Sequence, residues 1–243
     1  MTTLGAGLDR RILALIPAHN EAARIGSVVE RTVWHVPVLV VDDGSSDDTA
    51  AIAEAAGAWV IRQSPNQGKG AALRAGFATA MTEGVEAVIA LDGDGQHDPT
   101  EIPGFLGLYA HRTIVGQQTE LIVGRRDFRR MPPVRRIANW LGTVVLSGAL
   151  GRWIPDNQSG YRLIGRRLMA ATLNSTEAGF AFEVEMIAIC LREGWAIDWL
   201  PVRTIYAGET SHIRPAHHLR EFLTVTRRAR LIARAEPVTK VSE

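Results

Sequence analysis

Three aspartates stand in ALDGDGQHDP, residues 90–99, directly after the apolar run VIAL at 88–91. Ionised carboxylates are rarely buried unless they are paired or bind a metal, so a cluster at the end of a strand-like run needs a partner. Asp92 and Asp94 lie at i and i+2, and Gln96 follows two residues later. An extended or turning backbone points alternate side chains the same way, which lets all three converge on one hard cation. Mg²⁺ or Mn²⁺ prefers such oxygen donors, and Mg²⁺ is commonly held by one or two carboxylates with substrate phosphates completing its shell. A glycine-rich turn whose acids face water is the competing reading of this motif alone.

A second acidic strand end, VLVVDDGSSDDT at 38–49, runs through Val41 into Asp42 and Asp43, then a glycine turn and a Ser/Asp helix start. Helix capping accounts for Ser45 or Ser46, and the helix dipole for Asp47 and Asp48. Asp42 and Asp43 precede the helix, on the edge where acids in nucleotide folds accept hydrogen bonds from a base or ribose. Gly68-Lys69-Gly70 opens a further helix and offers amides and one cation to an anion, without the spacing of a Walker loop. Lys69, one of two lysines in the chain, reads equally well as a solvated helix-start residue. In AFEVEMI, Glu183 and Glu185 point to different faces of a helix, one as a solvated acid and the other toward an acceptor. Asp156 in PDNQSGYR is another candidate base. An alcohol acceptor requires a base, whereas a phosphate acceptor already carries a nucleophilic oxygen, so the need for one stays open.

These residues require a scaffold that brings strand ends together. Apolar runs at 12–17, 38–41, 59–61, 88–91 and 121–123 read as strands, separated by helical patterns at 22–33, 48–56, 68–81 and 100–109. That alternation is the signature of βαβ units feeding a mostly parallel sheet. Beyond MPP at 131–133 the pattern gives helices at 134–151, 182–193 and 215–235, a short strand at 161–164 and an extended segment at 197–206 interrupted by Pro201.

With 243 residues, 46% hydrophobic and 22% charged, one domain over 10–235 is expected. It divides into a nucleotide-binding half near 10–123 and an acceptor-side half near 124–235, with a flexible tail at 236–243. A net charge of +1 gives no global argument for nucleic-acid binding. The single Cys190 excludes an internal disulfide and a multi-cysteine metal site. Five of the six tryptophans, at 59, 140, 153, 195 and 199, read as core or interface residues rather than sugar platforms, and His217 and His218 as solvated. The polar start lacks the pattern of a signal peptide, and the longest uncharged stretch, 137–151, has 15 residues, too few to span a bilayer. A cytoplasmic protein is expected. The segment 217–235 mixes Leu219, Phe222, Leu223, Val225 and Leu231 with Arg220, Arg227, Arg228, Arg230 and Arg234. It suits a helix docking peripherally on the inner face of an anionic membrane, or one that packs on the body with its arginines in water. Oligomeric state is not legible.

Taken in order, LIPAHNEAARI, VVDDGSSDDT, NQGKGAALRAGF, ALDGDGQHDP, IVGRRDF, DNQSGYRLI and GETSHIRP resemble the inverting glycosyltransferases of family 2. The branch with dolichyl-phosphate mannose synthase and bacterial polyprenyl-phosphate glycosyltransferases is the most similar. The resemblance covers about residues 12–215. It implies an α/β domain of GT-A type, Rossmann-like, with a mixed, mostly parallel sheet flanked by helices. It also implies Mg²⁺- or Mn²⁺-dependent transfer from a GDP- or UDP-linked sugar to a polyprenyl or dolichyl phosphate or another acceptor. Pro17, His19, Glu21, Val41 and Asp43 would line the nucleotide pocket, with Asp43 on the base or ribose, and Lys69 would join the donor-binding set. Asp92, Asp94 and Gln96 would form the DxD-type metal site. Arg126 matches a phosphate-contacting arginine, although Arg125 precedes it where serine is common. Arg135 and Asn139 occupy an arginine-plus-serine pattern, with asparagine in place of serine. His212 stands where lysine is frequent, placed to donate to phosphate or complete the metal shell. Glu183 and Asp156 complete the catalytic candidates with Asp92, Asp94, Arg126 and Arg135. A sugar nucleotidyltransferase is the alternative enzyme, but its glycine-rich basic loop would replace PAHNEAA after the first strand. A nucleotide-sugar-binding module without catalysis is the third reading, against which the complete DxD pattern argues.

Overall fold

The computed structural model describes residues 12–128, 133–203 and 215–238, with side chains described except at 133–135 and 215–219. Among the described residues seven strands form one sheet: β1 (Ile12–Ala18), β2 (Val38–Asp43), β3 (Trp59–Gln63), β4 (Ala87–Ala90), β5 (Thr119–Arg126), β6 (Arg162–Gly165) and β7 (Ala196–Val202). Their order is β3-β2-β1-β4-β6-β5-β7. Only β6 runs against its neighbours, antiparallel to both β4 and β5, so the sheet is mixed and mostly parallel as expected.

The strands are continuous apolar runs because helices cover both faces. Leu13, Leu15, Leu39, Val41 and Val88 enter one core, and their neighbours Ala14, Ile16, Val38, Val40 and Ile89 enter the other, the two-residue period of a strand. The first core is covered by α3 (Lys69–Thr82), α6 (Arg166–Thr172), α7 (Gly179–Glu193) and α8 (Pro215–Arg234). The second lies under α1 (Ile25–Thr32), α2 (Thr49–Ala55) and α4 (Ile102–Ile114). Gly76 lets α3 sit on β1, since a Cβ there would come within 2.3 Å of Leu15 Cδ1.

Three features differ from the sequence expectation. β5 runs on to Arg126 and carries that side chain past the expected strand end. β7 passes through Pro201, which is tolerated because β7 is an edge strand that, among the described residues, pairs only with β5. The seven-residue α6 is too short for a periodic signal to have marked it. Residues 204–206 of the expected extended segment lie outside the described residues.

The two basic, apolar helices behave differently. On α8, Thr226 and Ala229 are buried and Phe222, Val225, Ile232 and Ala233 pack on the first core, so most of its apolar face is already covered. The next helix to consider, α5 (Pro133–Leu150), buries Thr143, Leu146 and Ser147 but leaves Ile137, Trp140, Leu141, Val144 and Val145 exposed. Trp140 and Trp153 are therefore surface residues, whereas Trp195 is buried and Trp59 and Trp199 pack partly on the core.

Candidate active site

The carboxyl ends of β1, β2 and β4 share one edge, where the turns after them interlock. Asn20 takes a positive φ of 56°, a conformation its short polar side chain tolerates. His19 Nδ1–H donates to the Asp43 carbonyl at 2.9 Å, and its Nε2 accepts from Asn20 Nδ2 at 3.1 Å. The hydroxyls of Ser45 and Thr49 and the carboxylate of Asp47 accept from the amides of Asn20, Glu21 and Ala22. This corrects the capping expectation for serine: Asp48, ahead of α2, makes no side-chain cap bond and Ser45 fastens the β1 turn, while Asp47 serves both, accepting from the first α2 amide, Thr49 N, at 3.1 Å and from Ala22 N.

Asp43 is 3% exposed, and its carboxylate clasps the loop before α3: Oδ1 accepts from Gln67 N at 2.8 Å and Oδ2 from Gly68 N at 2.6 Å. Gly44, at φ +73°, makes the close turn beneath this loop, where a Cβ would lie 2.8 Å from Asn66 N. The Val41 side chain belongs to the first core, so that residue has only its backbone to offer a ligand.

The loop held by Asp43 delivers Lys69. Its Nζ lies 2.7 Å from Asp92 Oδ1 and 2.9 Å from Glu183 Oε1, bridging the end of β4 to α7. Burial opposes charge on Lys69, but the Glu183 and Asp92 carboxylates outweigh it and push the ammonium above its ordinary value. Burial opposes charge on Asp92 as well, yet Lys69, with smaller help from His97 and Arg126, holds its carboxyl down at about 2. His97 is buried, which lowers its pKa; its Nδ1 accepts from Asp92 N at 3.0 Å and its ring stacks on Tyr161. Glu185 faces elsewhere and bonds Ser175, as the spacing of the two glutamates implied.

Arg126, at the end of β5, makes a fork to Asp156: Nε and Nη2 reach the two carboxylate oxygens at 2.8 and 2.9 Å, and its own amide adds a third contact at 3.1 Å. Asp156 also accepts from Gln158 N, and its side chain is 1% exposed, so this candidate base is enclosed among donors. The loop that follows is held by Arg162, which sequence reasoning missed. Fully buried, it donates to the carbonyls of Ser159, Asn157 and Glu183 at 2.7, 3.2 and 2.6 Å. The available signal was an arginine set in the apolar strand segment YRLI. Gly160 in this loop lies against the charge pair: a Cβ there would stand 2.8 Å from Lys69 Nζ and 2.9 Å from Asp92 Oδ2.

Asp92, Asp94 and Gln96 sit together on the turn after β4 and are partly exposed, with Gln96 N donating to Asp94 Oδ1 at 2.9 Å. Among the described residues no three His, Cys, Asp or Glu side chains gather as a complete metal cage. Two hard carboxylates, one of them held anionic, fit a Mg²⁺- or Mn²⁺-type ion whose remaining ligands come from a substrate's phosphates. Pro17 and Glu21 are partly exposed and His19 is exposed beside Asp43. The side chain of Arg135 and all of His212 lie outside the described residues.

Comparison with known proteins adds a consistent picture. The model of "Glycosyl transferase family 2" matches residues 14–172. The chain is 30% identical over 207 residues to an undecaprenyl-phosphate mannosyltransferase of Micrococcus luteus, covering 79% of this chain and 82% of that protein. It is 27% identical over 225 residues to a UDP-N-acetylglucosamine–dolichyl-phosphate N-acetylglucosaminyltransferase of Methanococcus voltae, covering 82% and 87% respectively. Among solved structures, glucosyl-3-phosphoglycerate synthase from Mycobacterium tuberculosis with Mn²⁺, UDP and glucosyl-3-phosphoglycerate superposes with a TM-score of 0.64 at 22% identity, covering 97% of this chain and 84% of that one.

Proposed function

Since the chain belongs to glycosyl transferase family 2, we propose that this glycosyltransferase moves a sugar, with inversion, from a nucleoside diphosphate donor to a polyprenyl phosphate. Membership sets aside the nucleotidyltransferase and the non-catalytic module. One observation carries the acceptor class: both acids that the sequence offered as bases are engaged elsewhere, Glu183 with Lys69 and Asp156 with Arg126. An alcohol acceptor would need one of them free, whereas a phosphate monoester brings an anionic oxygen of its own. The names of the Micrococcus and Methanococcus relatives, which act on undecaprenyl and dolichyl phosphates, support the same class.

In this reading Pro17, His19, Glu21, the Val41 backbone and Asp43 receive the nucleoside. Asp92, Asp94 and Gln96 hold Mg²⁺ or Mn²⁺, which when bound supplies positive charge to the departing diphosphate. Arg126, aimed by Asp156, adds a fixed donor to the same developing charge, and Arg135 and His212 join it. The acceptor phosphate oxygen attacks the anomeric carbon opposite the leaving group, the bond to the diphosphate breaks, and a glycosyl phosphodiester and a nucleoside diphosphate result. UDP in the Mycobacterium neighbour and in the Methanococcus relative's donor makes uridine the first base to test, with GDP beside it.

No helix among the described residues is long and apolar enough to cross a membrane. The lipid acceptor is reached from the surface, at the inner face of the membrane. The exposed positions 137, 140, 141, 144 and 145 of α5 share one helix face; Arg136 and Trp153, close to it in the chain, are exposed, as are Arg220 and Arg227 on α8, the helix that packs against α5. Contact is therefore assigned to α5 with the arginines of α8, rather than to the largely packed apolar face of α8.

The test is transfer from radiolabelled UDP- and GDP-sugars to undecaprenyl phosphate in vesicles with Mn²⁺ or Mg²⁺. A labelled glycosyl lipid that is cleaved by mild acid and survives mild alkali supports the proposal. Donor hydrolysis unaffected by lipid phosphate, with no labelled lipid, rejects it.

A further inference from the structure

We propose that Lys69 is a built-in counter-ion of the cation site, which keeps a divalent ion from binding tightly until a nucleoside diphosphate arrives. The inference rests on the donor-site reading above and adds an order to it. The Lys69 ammonium already occupies Oδ1 of Asp92 at 2.7 Å while also holding Glu183, so the first carboxylate of the site is partly neutralised within the protein. A doubly charged ion seeking Asp92 meets a positive neighbour within a few ångströms, where repulsion between charges is large. Gly160 closes over the pair, with no room even for a Cβ, so the ammonium is confined against Asp92 and Glu183.

A diphosphate changes this balance. Its negative charge gives the ammonium a third partner and gives the ion the oxygen ligands that two carboxylates lack. Nucleotide and ion then bind cooperatively, and by linkage each raises the affinity of the other equally. The connection to the nucleotide pocket is one residue long. Asp43 grips Gln67 N and Gly68 N with both carboxylate oxygens, and Lys69 is the next residue. A base or ribose donor that engages Asp43 competes with those amides and loosens the anchor of the lysine.

The experiment measures Mn²⁺ binding directly, by loss of the free-ion electron paramagnetic resonance signal, with and without UDP, and with GDP in parallel. In the unaltered protein, nucleotide should tighten Mn²⁺ binding by about tenfold or more. Lys69→Gln should bind Mn²⁺ about tenfold more tightly than the unaltered protein without nucleotide, and the cooperativity should shrink to about twofold. Lys69→Arg, which keeps the charge, should retain weak nucleotide-free binding, and Asp92→Asn should abolish binding in either background. Equal Mn²⁺ affinity with and without nucleotide in the unaltered protein overturns the inference without any variant. Unchanged or weaker nucleotide-free binding in folded Lys69→Gln overturns it as well. If neither nucleotide nor Mn²⁺ binds, or Asp94→Ala binds Mn²⁺ with UDP as the unaltered protein does, the donor-site reading itself fails.

Discussion

Arg126 and Asp156 meet as a two-pronged pair, each carboxylate oxygen taking one guanidinium nitrogen at 2.8 and 2.9 Å, with the Arg126 amide closing a third bond. The pair lies at the end of β5, so a group that reads as a candidate base in the sequence is the support that fixes an arginine. Bidentate geometry of this kind gives orientation as well as energy.

Asp156→Asn should therefore act through Arg126. Removing one partner of a buried ion pair costs about 3–5 kcal/mol, so the melting temperature should fall and donor kcat/KM should drop at least about tenfold. Combined with Arg126→Gln, the loss should be much less than the sum of the single effects. Additive losses in the double-mutant cycle, measured by transfer kinetics, would separate the two residues.

Asp94→Ala should leave the circular-dichroism melt near that of the unaltered protein and lower transfer on the order of 10²- to 10³-fold, the usual cost of losing one electrostatic contact to the departing group. Unchanged transfer at limiting Mn²⁺ would remove Asp94 from the cation site.

Gly76→Ala tests scaffold rather than chemistry. The new methyl would meet Leu15 at 2.3 Å, and overpacking of this kind costs about 1–3 kcal/mol. Denaturant melts should show that loss while the donor KM stays within about twofold.

The Lys69–Asp92 pair also sets an acid limit. Asp92 is held at about 2, below its ordinary 3.8, so its contribution is present in full above pH 4 and is lost as pH falls through about 2. The stability difference between the unaltered protein and Asp92→Asn should be constant from pH 5 to 7 and shrink as the pH drops below 4. A difference that grows on acidification would contradict the pairing.

Trp140→Glu with Leu141→Glu should reduce co-sedimentation with anionic vesicles several-fold while leaving soluble donor hydrolysis unchanged. Binding by the unaltered protein should fall with added salt, since each basic residue near the surface contributes about 1 kcal/mol under a screened potential. Equal sedimentation of both proteins would move the contact away from α5.

What the sequence revealed was local. Acidic residues after the apolar runs at 38–41 and 88–91 mark strand ends within a few residues, and the alternation of runs and helical patterns gives the sheet its class. Partners across the chain were hidden: Lys69 meets Glu183 across 114 residues, and nothing in either neighbourhood announces the other. The same holds for the buried Arg162 and the Glu183 carbonyl, 21 residues away, whereas its other two partners, the carbonyls of Ser159 and Asn157, are close in sequence. The sequence left two readings of α8 open because amphipathicity is identical for a helix lying on lipid and one lying on a protein body; the packed neighbours of Phe222 and Val225 favour the second.

Pro201 has a meaning for the protein in crowded solution. As a residue of β7 at the outer margin of the sheet, it interrupts the row of amide donors that a neighbouring molecule would need to extend the sheet by one more strand. Self-association by strand addition is blunted on that side, and Pro201→Val would restore the missing donor and raise the tendency to aggregate on concentration.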